Sequence, residues 1–219
     1  MAGSGASRSL CACQRRAKAQ GCGPWQPHSE RTVIPLTSPR IPEVRPEQFT
    51  EEQKELVGAW SNMKFSTVMA RSPVLYRAFV PLIEKVIART CLPPRDRQVL
   101  VLRTLSRGDD VYEVTHHELI SRSAGLSDAE IADMRAGSGD ALTDFDQVLA
   151  RAAEQLVREQ FIDDATWAAL AERYDHEQLM EVVALVGTYL TMAMVTRNFE
   201  IPLEDDETFA GFAQKREYT

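Results

Sequence analysis

The chain has 219 residues, 44% of them hydrophobic, which is enough for one substantial core, and its formal net charge is −7. The charge is uneven, because residues 1–40 carry six basic side chains against one glutamate, which leaves about −12 on the remainder. An acidic body of this kind argues against nucleic acid as the main partner.

The N-terminal segment, residues 1–40, mixes Gly, Ser, Pro and Arg with three of the four cysteines and shows no helical or strand periodicity. We therefore expect a disordered basic arm. It lacks the apolar stretch of a secretory signal; an organellar transit peptide, an extension upstream of the true start and a plain tail all fit its composition. The Cys11-x-Cys13 spacing fits a metal site only loosely, so incidental thiols are preferred. A reduced compartment, the cytoplasm, is the expected location.

From residue 41 onward, helix-capping residues recur along the chain and apolar residues are spaced by three and four. These patterns predict an all-α protein of about seven to eight helices. Thr50 and Gln53 form a capping box for a helix over 51–62. Ser72-Pro73 supplies an N-cap and a proline at the first helical position. The later helices are predicted from their starting residues, which are Pro94, Ser127 with Glu130, Thr143, Asp163 or Asp164, and Asp175 with Gln178.

The last predicted helix contains an uncharged run from Val182 to Thr196. Its fifteen residues fall short of the roughly 18–20 that cross a bilayer, so a buried helix is preferred over a membrane span. An apolar helix that carries Met192 and Met194 also suits a subunit interface. We therefore expect a homo-oligomer, whether dimer, trimer or hexamer, and no membrane partner.

Glu113 and His117 are four residues apart and so lie on one face of a helix. A carboxylate beside an imidazole favours the charged imidazolium and raises its pKa, which suits proton transfer near neutral pH. The spacing alone fits a surface pair without a role equally well. His116 lies about 100° around the helix and is expected to face solvent or a neighbouring subunit.

Several stretches of the chain resemble the carboxymuconolactone decarboxylase family, which shares the all-helical fold of the alkyl hydroperoxidase D-like proteins. The resemblance covers roughly residues 41–203 and implies a helical bundle there, followed by a C-terminal tail at 204–219. The main stretches are Leu92-Pro93-Pro94-Arg95-Asp96-Arg97, Arg97 through Arg103, Tyr112-Glu113-x-x-x-His117, and Ala124-Gly125-Leu126-Ser127-x-x-Glu130-Ile131.

The peroxidase branch of that superfamily carries a C-x-x-C pair at the positions of Asp110 and Glu113, and a proton-relaying glutamate at the position of Gln98. Both thiols are missing here, and a glutamine does not titrate. A thiol peroxidase is therefore disfavoured. Cys91, the only cysteine beyond the arm, is expected to be a small apolar filler.

The decarboxylase branch keeps a Glu-x-x-x-His turn. There, carbon dioxide leaves a carboxylated butenolide and the resulting enolate is protonated at carbon, so the resemblance implies that His117 is the acid and that Glu113 orients it. Gln98, Tyr112 and Arg103 are the candidate substrate-binding residues, through an amide donor, a hydroxyl and a guanidinium. No cofactor is expected. A metal would need a third ligand such as Asp109 or His176, and the sequence specifies none.

The sequence thus predicts a cofactor-free enzyme of the decarboxylase-like lyase type. It would use acid/base proton transfer, in a decarboxylation or an isomerisation, on a small lactone, enol or keto acid. The alternative is a non-catalytic oligomeric ligand-binding scaffold, for which Gln98 is the main support. A peroxidase of the alkyl hydroperoxidase D type is the third reading.

Overall fold

Nine α-helices and no strand occupy the part of the chain that the computed structural model describes, which is residues 39–107, 110–137, 139–205 and 208. This confirms the all-α prediction. Two single 3₁₀ turns, Pro46–Gln48 and Gly58–Trp60, accompany them. The helices are α1 (Glu51–Val57), α2 (Lys64–Met69), α3 (Pro73–Ala88), α4 (Pro94–Ser106), α5 (Val111–Ser123), α6 (Asp128–Ala136), α7 (Asp144–Glu159), α8 (Asp164–Ala171) and α9 (His176–Phe199).

The helix starts follow the predicted caps. Thr50 accepts from the Gln53 amide at 3.2 Å while its own amide donates to the Gln53 side chain at 2.8 Å, which is a complete capping box. Of the two candidates before α8, Asp163 is the cap. Helix α1 ends at Val57, earlier than the predicted residue 62, because Gly58 adopts a φ of 51° and a 3₁₀ turn follows it.

Helix α4 lies at the centre of the bundle. Its residues from Asp96 to Leu105 are all buried, and it packs against α5, α6, α7 and α9. A helix that is covered all round belongs to the core. The polar side chains on α4 must therefore find partners inside the protein, and this requirement places Gln98 in contact with α5.

Helix α9 crosses the bundle against α3, α4, α5 and α7. It is long and apolar enough to cross a membrane by length and composition, with a mean hydropathy of 1.7, and 56% of that window is buried in the structure. The core helix of a protein that never meets a membrane passes the same test, so this is weak support for a span. Its buried side includes Tyr189 and Thr196, which contact α5.

The chain continues past α9 as an extended segment that returns to the core. Glu200 adopts a φ of 55°, and Ile201 and Glu204 are both buried. The predicted tail boundary at residue 204 stays a prediction, although Glu204 itself packs inside. The N-terminal arm up to residue 38, with its three cysteines, and most of the segment after residue 205 lie outside the described residues.

Candidate functional site

The start of helix α5 is anchored by Asp110. Its Oδ1 accepts from the backbone amides of Tyr112 at 3.1 Å and Glu113 at 3.3 Å, and its Oδ2 accepts from the Thr196 hydroxyl on α9 at 2.7 Å. A buried N-cap that is bonded to a second helix sets both the position and the rotation of α5. As a result, Glu113 and His117 face α4 and α9, while Tyr112 and His116 face the C-terminal segment.

Gln98 determines the tautomer of His117. The Gln98 Oε1 atom lies 2.8 Å from His117 Nδ1 and also accepts from the Ser121 hydroxyl at 3.3 Å. Because an amide oxygen can only accept, Nδ1 carries the proton in this arrangement. His117 Nε2 is then left with its lone pair, on the side of the ring that faces Glu113.

Glu113 lies opposite that lone pair. Its Oε2 is 3.9 Å from His117 Nε2, which is too long for a hydrogen bond but allows a single ligand atom to lie within bonding distance of both. Among the described residues, Glu113 Oε1 has no hydrogen-bond partner. The ring of Tyr189 packs edge-on against the imidazole, with the ring centres 4.9 Å apart.

Burial sets the charge states of the pair, since the exposed fractions of Glu113 and His117 are 4% and 5%. Burial, helped by the charge of Asp110, raises the pKa of Glu113 to about 8. Burial, helped by the positive charges of His116 and Arg97, lowers the pKa of His117 to about 3. The expectation that Glu113 raises the pKa of the imidazole is therefore wrong, because desolvation outweighs the pairing, and both groups are neutral at pH 7.

His116 was expected to face solvent or a neighbouring subunit, and this is wrong because it is buried against the C-terminal segment. Its Nδ1 lies 2.8 Å from the Tyr112 carbonyl, and its Nε2 lies 2.9 Å from Glu204 Oε2. Both ring nitrogens thus face acceptors. Although burial opposes it, the contacts with Glu204 and the Tyr112 carbonyl raise the pKa of His116. His116 and Glu204 thus lie in contact in the interior, beside Glu113 and His117.

Tyr112 belongs to this second cluster. Its hydroxyl donates to Glu204 Oε1 at 2.6 Å and accepts from the backbone amide of Phe65 at 3.2 Å. The predicted substrate-binding role therefore lacks support from its position, because the hydroxyl already bonds to Glu204 and to the Phe65 amide. It instead ties α5 to α2 and to the C-terminal segment.

Arg103 also has its hydrogen-bond partners away from His117. Its guanidinium donates to Glu154 on α7 through Nε at 2.6 Å and to the Met134 carbonyl on α6 at 2.8 Å. It is buried and joins three helices. Of the five candidate site residues, the structure brings together Gln98, Glu113 and His117, and it places Tyr112 and Arg103 in other contacts.

Two residues near the pair had been given no individual role by the sequence. Arg97 is buried next to Gln98, donates to the Ile87 carbonyl, and is close enough for its charge to act on His117 and Tyr189. Tyr189 lies within the apolar run of α9, where it resembles any core aromatic. The signal for Arg97 was its place two residues before the apolar run Val99-Leu100-Val101-Leu102 on the same helix.

Cys91 is exposed, so the expectation of an apolar filler is wrong. Although the residue is exposed, partial desolvation of its sulfur and the contact with Glu181 raise the pKa of its thiol to about 11, so little thiolate forms at neutral pH. Within the described ranges, Cys91, Glu177 and Glu181 form the one cluster of three potential metal ligands, and Lys85 already pairs with Glu181 there. Of the third ligands suggested by the sequence, Asp109 lies outside the described residues and His176 is exposed at the start of α9.

A surface pocket of about 540 Å³ opens beside the first turn of α5. Asp110, Val111 and Val114 line it from α5, and Ala132, Arg135 and Ala136 line it from α6. Asp110 connects this pocket to the interior, because the same side chain caps the amide of Glu113. The pocket is thus within one helical turn of the buried pair.

An all-helical bundle with a buried Glu-x-x-x-His turn on its central helices is the arrangement that the family resemblance implies. Residues 73–158 match the model of the carboxymuconolactone decarboxylase family. The predicted resemblance is confirmed over these residues, and the fold is that of alkyl hydroperoxidase D-like proteins. No curated protein matches the chain.

Two solved structures share the fold. One is an alkylhydroperoxidase AhpD core, an uncharacterized peroxidase-related protein from Ralstonia eutropha JMP134, with a TM-score of 0.68, 14% identity, and coverage of 80% of this chain and 96% of that one. The other is a protein of unknown function from Agrobacterium tumefaciens, related by name to AhpD, with a TM-score of 0.58, 19% identity, and coverage of 63% and 96%. At these identities the similarity shows the fold alone.

Proposed function

We propose that this protein is an enzyme of the carboxymuconolactone decarboxylase type that moves protons on a small lactone, enol or keto acid, by decarboxylation or isomerisation, without a cofactor. The observation that carries the proposal is the pairing of a buried carboxyl with a buried imidazole, 3.9 Å apart, whose Nδ1 is bonded to Gln98. One group holds a proton near neutral pH and the other has a bare lone pair. An acid and a base in contact with one substrate are what proton-transfer catalysis needs.

The roles within the pair differ from those that the family resemblance implies. Glu113 keeps its proton up to about pH 8 and is therefore the acid. His117, with Nδ1–H bonded to Gln98, presents Nε2 as the base. The charge of Arg97 stabilises the negative charge that develops on a substrate oxygen.

Burial limits what can reach this pair. Because Glu113 and His117 are at most 5% exposed, a substrate gains access only when neighbouring groups move. The pocket that Asp110 and Val114 line is one opening beside the same helix turn. A small substrate is therefore proposed, since a large one would require the bundle to open.

The test is an NMR time course in deuterated buffer with γ-carboxymuconolactone and a panel of lactones and β-keto acids, run on the wild type and on His117→Ala. Loss of carbon dioxide or uptake of deuterium is expected with the wild type, and the variant should be about 10²–10⁴-fold slower. Glu118→Gln, a partly exposed glutamate on the same helix, is the control. A His117→Ala variant that is folded and fully active would contradict the proposal.

The second candidate is a non-catalytic ligand-binding scaffold, and the observation in its favour is the same burial. Catalytic groups normally reach a cavity, whereas buried pairs often serve packing alone. If the panel members bind, as seen in ligand-detected NMR, but none turns over, the scaffold replaces the enzyme. A thiol peroxidase is not supported, because Cys91 is the one cysteine among the described residues and its thiol stays protonated.

A further inference from the structure

We infer that the Glu113 and His117 site catalyses a 1,3-proton shift, the interconversion of a ketone and its enol, on a small carbonyl compound that has a hydrogen on the carbon next to the carbonyl group. This rests on the proposed function and narrows it. Glu113 supplies the proton to the carbonyl oxygen, and His117 removes the proton from carbon. The reaction class is an isomerisation, and decarboxylation is not the main activity.

The spacing of the acid and the base supports this reaction. In a ketone, the oxygen and the adjacent carbon are both bonded to the carbonyl carbon, so they lie about 2.4 Å apart. The two catalytic atoms, Glu113 Oε2 and His117 Nε2, are 3.9 Å apart. A donor and an acceptor at this separation can each lie within about 3 Å of one of the two substrate atoms at the same time.

The surroundings of His117 and Glu113 determine which of the two is the base and which is the acid. His117 Nδ1 is engaged by Gln98, so Nε2 is the one basic position on the ring. Glu113 is buried, the imidazole 3.9 Å from its Oε2 presents a lone pair, and its Oε1 has no hydrogen-bond partner among the described residues, so the carboxyl keeps its proton. The upward displacement of the Glu113 pKa agrees with this assignment.

The step balances within the site. As Nε2 takes the proton from carbon, the electron pair of the C–H bond becomes the C=C bond, and the carbonyl π pair takes the proton of Glu113. The product is the enol, and the site is left with an imidazolium and a carboxylate. The proton on Nε2 then passes to Glu113 across the 3.9 Å gap or through one water molecule, which restores both neutral groups. No oxidant, reductant or cofactor enters.

A free base distinguishes this reaction from a decarboxylation. Loss of carbon dioxide needs an electron sink and, later, a proton donor, but it removes no proton from carbon. A lone pair aimed at the substrate would also repel a carboxylate that has to lie there. His117 Nε2 therefore has a direct role in enolisation and none in the loss of carbon dioxide.

The experiment compares two probes that separate the two reactions. The first, 2-oxobutanoate, has exchangeable hydrogens next to its ketone and does not readily lose carbon dioxide. The second, 2,2-dimethyl-3-oxobutanoate, loses carbon dioxide and has no hydrogen on the carbon between its two carbonyl groups. Proton NMR in deuterated buffer follows exchange at C3 of the first and loss of carbon dioxide from the second, with wild type, Glu113→Gln, His117→Gln and the control variants Glu118→Gln and His176→Gln.

The expected result is exchange into 2-oxobutanoate with wild type and both controls, and a loss of about 10²–10⁴-fold in Glu113→Gln and in His117→Gln. Loss of carbon dioxide from the second probe without exchange into the first would overturn the inference and leave the proposed function standing. Neither reaction on these probes or on the lactone panel would overturn both. Full exchange in a folded Glu113→Gln variant would remove Glu113 from the reaction and also overturn the inference.

A second readout needs only the wild-type protein, in case a site variant fails to fold. A single base on one face of the substrate labels one of the two hydrogens at C3, whereas buffer catalysis labels both. Singly deuterated 2-oxobutanoate of one configuration is therefore expected. Equal labelling of both positions at the protein-dependent rate would overturn the assignment of one base.

Discussion

Gln98 is the residue that decides what His117 can do. An amide oxygen accepts the Nδ1 proton and adds no charge, so the imidazole stays neutral and Nε2 stays basic. A glutamate at the same position, as the peroxidase branch has it, would add a negative charge to the same hydrogen bond. The difference between the two residues is thus a difference in the charge state of the histidine.

Gln98→Glu should raise the pKa of His117 from its present value of about 3, because a carboxylate 2.8 Å from Nδ1 favours the imidazolium. The proton on Nε2 would then block its function as a base near neutral pH, and proton-transfer activity should fall about 10-fold or more. NMR titration of the imidazole resonances measures the shift, and the exposed His176 is the internal control. An unchanged His117 titration would show that the two side chains do not interact.

Glu113 should make the protein less stable as the pH rises. In the unfolded chain it ionises near its ordinary pKa of 4.5, whereas in the folded protein it holds its proton to about 8. Between these values the folded state binds more protons, so stability falls with increasing pH. His117 has the opposite sign, because its pKa falls from 6.5 to about 3 on folding, and its cost appears only as the pH drops below about 6.5.

Glu113→Gln should therefore gain stability relative to the wild type as the pH rises from about 5 to about 8. Urea unfolding at these two pH values gives the free energies to compare, and Glu118→Gln serves as the control. A stability difference between Glu113→Gln and wild type that does not change with pH would mean that the carboxyl is already ionised in the folded protein.

At the scale of elements, the helix starts were predictable because their signals are local. The capping boxes at Thr50, Ser127 and Asp175 all form, since each needs only a side chain three residues away. Helix α2 was not predicted, because Met63 precedes it and offers no capping side chain. The packing of its five buried residues stabilises this helix instead. Its presence brings the count in the described part of the chain one above the predicted range.

Arg95 joins three helix starts. From the first turn of α4 it donates to Asp146 at 2.8 Å and to Glu130, which are the capping-box carboxylates of α7 and α6. Asp146 is buried, so the loss of its cation leaves a charge with poor compensation. Arg95→Met should lower the free energy of unfolding by about 1–3 kcal/mol in urea denaturation.

Arg122→Met is the matched control for Arg95, because its ion pair with Asp128 is solvent-exposed and should contribute less than about 1 kcal/mol. Equal effects of the two substitutions would show that the buried carboxylate of Asp146 needs no cation. Additional loss of activity in Arg95→Met is not expected, since Arg95 contacts neither Glu113 nor His117.

At the scale of the molecule, the sequence predicted half of the candidate site. Glu113 and His117 share a face because helical spacing is local, and Gln98 joins them as the family motif implies. Tyr189 and Glu204 come from distant parts of the chain, and nothing local to them signals their partners. The charge states of the pair depend on burial in the folded bundle, and the helical spacing of Glu113 and His117 carries no information on that burial.

The whole protein should assemble into a homo-oligomer through α3 and α9, which pack side by side. Large apolar side chains remain exposed on both helices, namely Val74, Leu75 and Leu82 on α3 and Met180, Val183 and Met194 on α9. Several large exposed apolar side chains on two packed helices favour association, and a second copy of the chain is the proposed partner. Light scattering after gel filtration should give a mass above the 24.6 kDa of one chain.

Met180→Glu and Met194→Glu should reduce the oligomer toward the monomer, because each would bury an unpaired charge at the interface. Phe161→Glu replaces an equally exposed apolar residue that follows α7, outside this surface, and should leave the mass unchanged. A wild type that stays monomeric at every concentration would contradict the prediction, and a loss of mass in Phe161→Glu would move the interface away from α3 and α9. If the monomeric variants keep proton-transfer activity, the site is complete within one chain, as the contacts of Gln98, Glu113, His117 and Tyr189 indicate.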